Sequence, residues 1–141
     1  IKFIISCKCP YDFLEENTKN KFIFKRFYEI DKKYNKLLDR AKKVSNSGKL
    51  LFFKYAGDTS ISSDIANALK YAYPDKFIVV VYNKGAKANV SARGKDVKRV
   101  ILKAIEGLES ATGGGHDNAV GAQIRKEDVL EFEKRIKKLV N

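Results

Sequence analysis

The chain contains no methionine and no tryptophan, and in 141 residues it has a single histidine, two cysteines and two prolines. Two thiols and one imidazole do not complete a tetrahedral zinc site, so no metal is expected in this chain. Cys7 and Cys9 stand two apart, which on a strand puts both side chains on one face but in poor geometry for a mutual disulfide. They are expected as reduced structural cysteines of a cytoplasmic protein. No apolar run approaches the roughly 20 residues that cross a bilayer, so no membrane partner is expected. The opening "IKFIISC" is apolar but short and lacks the small-residue cleavage site of a secretory signal, and it reads as a strand. With Ile1 as its first residue and no methionine anywhere, the sequence reads as a piece excised from a longer protein.

Acidic residues are outnumbered by basic ones. Lys and Arg number 29 against 17 Asp and Glu, a net charge of +12 that favours polyanionic partners, nucleic acid first among them. Lysine-coated helix faces produce the same imbalance, so charge alone locates no site. The length suits one ordinary domain with one core, and 44% hydrophobic with 33% charged residues describes a soluble globular chain.

Along the chain, "KFIFKRFYEI" shows enough alternation at Phe22 and Phe24 to suggest a second strand. From Glu29 the apolar positions Ile30, Tyr34, Leu37, Leu38, Ala41 and Val44 recur at helical spacing, predicting an amphipathic helix of about four turns. "SNSG" at 45–48 supplies its cap and turn. "KLLFFKY" reads as a buried strand, and "AGDTSISS" offers N-caps to a helix that stops at Pro74. "KFIVVVY" is a continuous β-branched and aromatic run, with "ANVSARG" as its hairpin partner across "NKGAK". Asp96 is placed to cap a helix with Val97, Val100, Ile101, Ala104, Ile105 and Leu108 in one stripe. A glycine loop follows, then a strand "AVGAQI" and a terminal helix carrying Val129, Phe132, Ile136 and Leu139 inward. The expected fold class is α/β, a layered domain with a mixed β-sheet flanked by helices. The expected organisation is an N-terminal arm and linker helix over 1–47 and the α/β body over 48–141.

The stretch "SATGGGHDNAVGAQI" places three consecutive glycines beside the lone histidine. Glycines are retained where φ must be positive or where something approaches the backbone closely. Together with the hairpin strand they give Ser91, Arg93, Gly113, Gly114, Gly115 and His116 as a candidate phosphate-binding set. Glycine N–H groups converge on an anion, arginine holds it with two parallel hydrogen bonds, and serine and histidine add single donors. Ser91 and Arg93, two apart, leave a strand on the same face. The residues alone leave open that the glycines are a connector and that Arg93 pairs with a carboxylate.

"NVSARG", an amphipathic helix and then "GGGHDNAVGAQI" resemble the C-terminal associated domain of the DHH phosphoesterase superfamily, which includes RecJ-like nucleases and oligoribonucleases. "KLLFFKYAGDTSISSDIANALKYAYPDKFIVVVY" is similar to this domain in the archaeal RecJ-like branch, so the resemblance covers about 48–140. It implies that Ser91, Arg93, Gly114, Gly115 and His116 face a catalytic domain across a cleft and bind single-stranded DNA or RNA, often at a phosphate. One departure is Ala119-Val120-Gly121, where the family usually has Ala-Ala-Gly. The superfamily's hydrolysis rests on manganese or magnesium held by an N-terminal domain with an Asp-His-His motif, which is absent here.

The resemblance therefore implies the substrate-gripping half of a metal-dependent exonuclease, with no catalytic residue and no cofactor in this chain. Its partners are then nucleic acid and the catalytic DHH domain of the same parent chain, with replication proteins as a further class. Two other readings stand beside it: an independent nucleic-acid module, as in the related C-terminal region of alanyl-tRNA synthetases, and a replication-complex interaction domain without nuclease activity.

Overall fold

The computed structural model describes residues 2–44 and 48–140. The chain divides into two compact units, Ile1–Asn35 and Lys36–Asn141, with the division falling inside one helix.

In the first unit both expected strands are helices. "KFIIS" forms α1 (Lys2–Ser6), Pro10–Leu14 forms α2, and "KFIFKRFYEI" opens the 24-residue α3 (Lys21–Val44). The alternation at Phe22 and Phe24 spans only three residues. A longer pattern overrides it, because Ile23, Phe27, Ile30, Tyr34, Leu37 and Ala41 continue the helical spacing back from residue 30, and no glycine or proline interrupts the segment. With "KFIIS" helical, the shared strand face expected for Cys7 and Cys9 does not exist, and both thiols are free. Asn20, just before α3, is fully buried. Its amide donates to the carbonyls of Phe13 (3.2 Å) and Glu15 (2.9 Å) and its Oδ1 accepts from Asn17 N–H at 2.7 Å, so every part of this buried polar group is used. The expected "SNSG" cap includes 45–47, which lie outside the described residues.

The second unit holds a five-stranded sheet of order β1-β2-β3-β5-β4, built from β1 (Leu50–Ala56), β2 (Phe77–Lys84), β3 (Lys87–Arg93), β4 (Thr112–His116) and β5 (Ala119–Arg125). β1 and β2 are parallel and the other pairs antiparallel, so the sheet is mixed as expected. The crossover α4 (Ser62–Ala72) packs on β2 and β3, while α5 (Val97–Ile105) and α6 (Val129–Val140) cover the opposite face. That opposite face carries the main core, in which Val79, Val81, Val90, Val120 and Ile124 meet Ile101, Phe132 and Ile136. "FIVVVY" is apolar throughout because β2 is central and buried on both faces.

Asp96 stands before α5 but makes no side-chain cap, because its backbone is left-handed at φ 54°. The N–H of Lys98 instead donates to the carbonyl of Asp117 at 3.3 Å, and that of Gly94 to the carbonyl of Asn118 at 3.1 Å. Asp117 and Asn118 form the turn between β4 and β5, so these two bonds fix that turn beside the end of β3.

On the face covered by α6, Glu133 of α6 accepts from Lys54 of β1 at 2.7 Å and from Lys137 at 2.8 Å. Burial pushes the Glu133 carboxyl up, but these two ammonium groups outweigh it and hold the carboxyl below its ordinary value. A carboxylate with a lowered folded-state pKa adds stability above its unfolded pKa and loses that contribution as pH falls through the folded value. Glu133→Gln is therefore expected to cost about 1 kcal/mol at neutral pH. Urea unfolding curves should show the gap from the parent closing as pH falls below about 4.

Candidate nucleic-acid interface

Strand pairing decides which side chains share a face. Ser91 pairs with Gly121 and Gly121 with Gly114, while Arg93 pairs with Ala119 and Ala119 with His116. One step the other way, Asn89 pairs with Gln123 and Gln123 with Thr112. These three cross-strand rows lie on the α4 side of the sheet; α4 packs mainly on β2 and β3, and on the β5–β4 part of that face Gly121, Thr112, Gly114 and His116 are exposed. Its middle row is floored by glycine: a Cβ at Gly114 would meet nothing within 4 Å, and one at Gly121 only the Val90 carbonyl at 4.0 Å.

The glycine segment expected as a loop is the edge strand β4, exposed along its whole length. In a strand successive N–H groups alternate in direction, so the three glycines do not form the convergent turn that sequence reasoning placed there. They differ from one another. A Cβ at Gly113 would lie 2.9 Å from Ile105 Cδ1 and 3.2 Å from Ala122 Cβ, on the packed side of the sheet. Gly115 has φ +145° and its absent Cβ would run into the Ala119 carbonyl oxygen. Gly114 alone of the three faces open space.

Arg93 is half-buried and fixed. Its Nε donates to Asn67 Oδ1 of α4 at 2.7 Å and its Nη1 to the Ala92 carbonyl at 2.8 Å. Burial lowers the guanidinium pKa from its ordinary value and the Asp64 carboxylate opposes that shift. An arginine stays charged under such a shift. Ser91 is buried, with its hydroxyl 2.9 Å from that of Ser62, and this pair pins the first turn of α4 beside the glycine row. His116 is exposed at the end of β4, two strands from Arg93, which separates their Cα atoms by about 10 Å.

The structure thus brings Ser91, Arg93, Gly114 and His116 to one face and turns Gly113 to the other. Sequence reasoning missed Asn67, Asn89 and Gln123. Asn89 was within reach, being two residues before Ser91 on a strand with side chains in period two; Asn67 and Gln123 come from separate elements that only the pairing brings near. Among the described residues no group of three or more His, Cys, Asp or Glu could hold a metal ion, and His116 with Asp117 supplies too few donors for the ions of a DHH centre. Among the described residues, too, no helix is long and apolar enough to cross a membrane.

The DHHA1 domain family matches residues 31–141, and the chain belongs to that family. Solved structures agree on the fold. The chain is similar to RecJ in complex with Mg2+ from Thermus thermophilus, with 14% identity and a TM-score of 0.61 over 89% of this chain and 21% of that one. It is similar to the C-Ala domain of Aquifex aeolicus alanyl-tRNA synthetase, with 18% identity and a TM-score of 0.51 over 67% of this chain and 92% of that one. A third relative is PggH, a pGpG-specific phosphodiesterase from Vibrio cholerae, at 18% identity and a TM-score of 0.52, covering 83% of this chain and 42% of that one. The chain thus spans about a fifth of the RecJ chain and about two fifths of the PggH chain. No curated protein matches it.

Proposed function

We propose that this chain is the substrate-gripping accessory domain of a DHH-type, RecJ-like phosphoesterase, and that it binds single-stranded DNA or RNA on the α4 side of the sheet, along the rows that run from β3 over β5 to β4. The observation that carries this reading is the row Arg93–Ala119–His116 beside a glycine floor. A phosphate lies between the guanidinium and the imidazole, and the sugar-phosphate chain runs over Gly114 and Gly121, where no side chain blocks close approach. Gly113 and Gly115 shape the strand, and Ser91 positions α4. The net charge of +12 supports a polyanionic partner. Metal-assisted hydrolysis is then the work of a catalytic DHH domain of the parent protein, in the cytoplasm, and this chain contributes affinity and register.

Fluorescence anisotropy with a short labelled oligonucleotide tests the reading. Neutralising about two phosphates should cost about tenfold in affinity between 50 and 200 mM salt. Affinity independent of salt, or no binding at the lower salt, would remove the polyanion from the proposal.

A further inference from the structure

The phosphate grip leaves the third row of the open face unused. Asn89 and Gln123 are directly paired across β3 and β5, both half-buried, and Gln123 Nε2 donates to Asn89 Oδ1 at 3.0 Å. Thr112 of β4 continues the row and is exposed. Relying on the phosphate site proposed above, we infer that the Asn89–Gln123–Thr112 row is a base-reading subsite that contacts the nucleobase of the nucleotide held at Arg93 and His116.

The placement fits the order of groups in a nucleotide. Along the strands the Arg93 row and the Asn89 row are four residues apart, about 13 Å, with the glycine row midway. Phosphate, sugar and base in sequence then meet charged donors, an open glycine floor and neutral amides. Without a side chain at Gly114 or Gly121, the sugar can approach the sheet closely enough for the base to reach the third row.

The chemistry separates this row from the first. The mutual amide bond uses one donor and one acceptor, and leaves Gln123 with a free acceptor oxygen and Asn89 with free N–H donors. A phosphate offers acceptors alone, so the spare oxygen of Gln123 would oppose it. A nucleobase edge offers a donor beside an acceptor and satisfies both amides, and such amide pairing is best suited to adenine. The Thr112 hydroxyl, able to donate or accept, adds a third contact.

The test compares two labelled oligomers of equal length, oligoadenylate and its abasic counterpart, at one fixed low salt concentration. The parent chain is expected to bind the base-bearing oligomer about tenfold tighter. Gln123→Met, which keeps the side-chain length, and Asn89→Ala should each bring that ratio to about one while leaving abasic affinity unchanged. An amide pair that merely braced the sheet would lower the affinity for both oligomers together and keep the ratio, and that result would overturn the inference. Equal binding of both oligomers by the parent would also overturn it while sparing the phosphate site. Failure of the parent to bind either oligomer would overturn both.

Discussion

Arg93→Lys is expected to weaken oligonucleotide binding by about tenfold or more, although it preserves the charge. The native guanidinium is held by two bonds that leave its outer edge free: Nε to Asn67 at 2.7 Å and Nη1 to the Ala92 carbonyl at 2.8 Å. An ammonium's three N–H groups radiate from one nitrogen, so it cannot reproduce contacts that the guanidinium makes to Asn67, the strand carbonyl and a phosphate from separate nitrogens. It is also a compact, strongly hydrated charge, so it gives up more in the half-buried site that Arg93 occupies. The two-pronged contact that a guanidinium makes with a phosphate is lost in either case, and a charge-assisted hydrogen bond is worth about 1.5–3 kcal/mol. The slope of affinity against salt should change little, since the charge is retained. Anisotropy titrations on Arg93→Lys and on a variant of the distant surface residue Lys138 separate local geometry from net charge. Equal affinity of Arg93→Lys and the parent would take Arg93 out of the interface.

Gly115→Ala is expected to destabilise the second unit by about 2–4 kcal/mol, from a backbone strained for any other residue together with a clash that side chains cannot relieve. At φ +145° the residue occupies a region that L side chains rarely adopt, and the new methyl would meet the Ala119 carbonyl oxygen and lie 3.0 Å from Val120 Cα. Both obstacles are backbone of the paired strand β5, so relief requires the β4–β5 hairpin to open. The carbonyls of Asp117 and Asn118, which bond to Lys98 and Gly94, resist that opening. Thermal unfolding followed by circular dichroism should show a fall in Tm of roughly 10 °C. Gly114→Ala, one residue earlier, has nothing within 4 Å of its new methyl and should leave Tm unchanged within error. If the glycine floor carries nucleic acid, this stable variant still binds more weakly. A Gly115→Ala protein as stable as the parent would mean that the hairpin yields at little cost.

The layered α/β body was legible in the residues because each element of that part carries its own period. "KLLFFKY" and "FIVVVY" are short apolar runs of strand length, and the stripes Val97–Ile105 and Val129–Leu139 repeat at helical spacing, so local sequence and tertiary environment ask for the same structure. At the N-terminus a short alternation was a weaker signal than the helical repeat running through residues 23–41, and "IKFIISC" is too short for either period to show. The glycine triplet was ambiguous for a different reason: glycine has no side chain to carry a pattern, and the strand β4 exists only because β5 supplies its hydrogen-bonding partners. Composition and the local spacing of Ser91 and Arg93 raised an anion-binding face as an expectation and put those two side chains on one side of a strand. Which glycine is open, which are committed to packing or to positive φ, and that Arg93, His116, Asn89 and Gln123 share that face were decided by the pairing order β3-β5-β4. That order joins residues some 30 positions apart, and the contacts that enforce it are tertiary and leave no periodic trace in the chain.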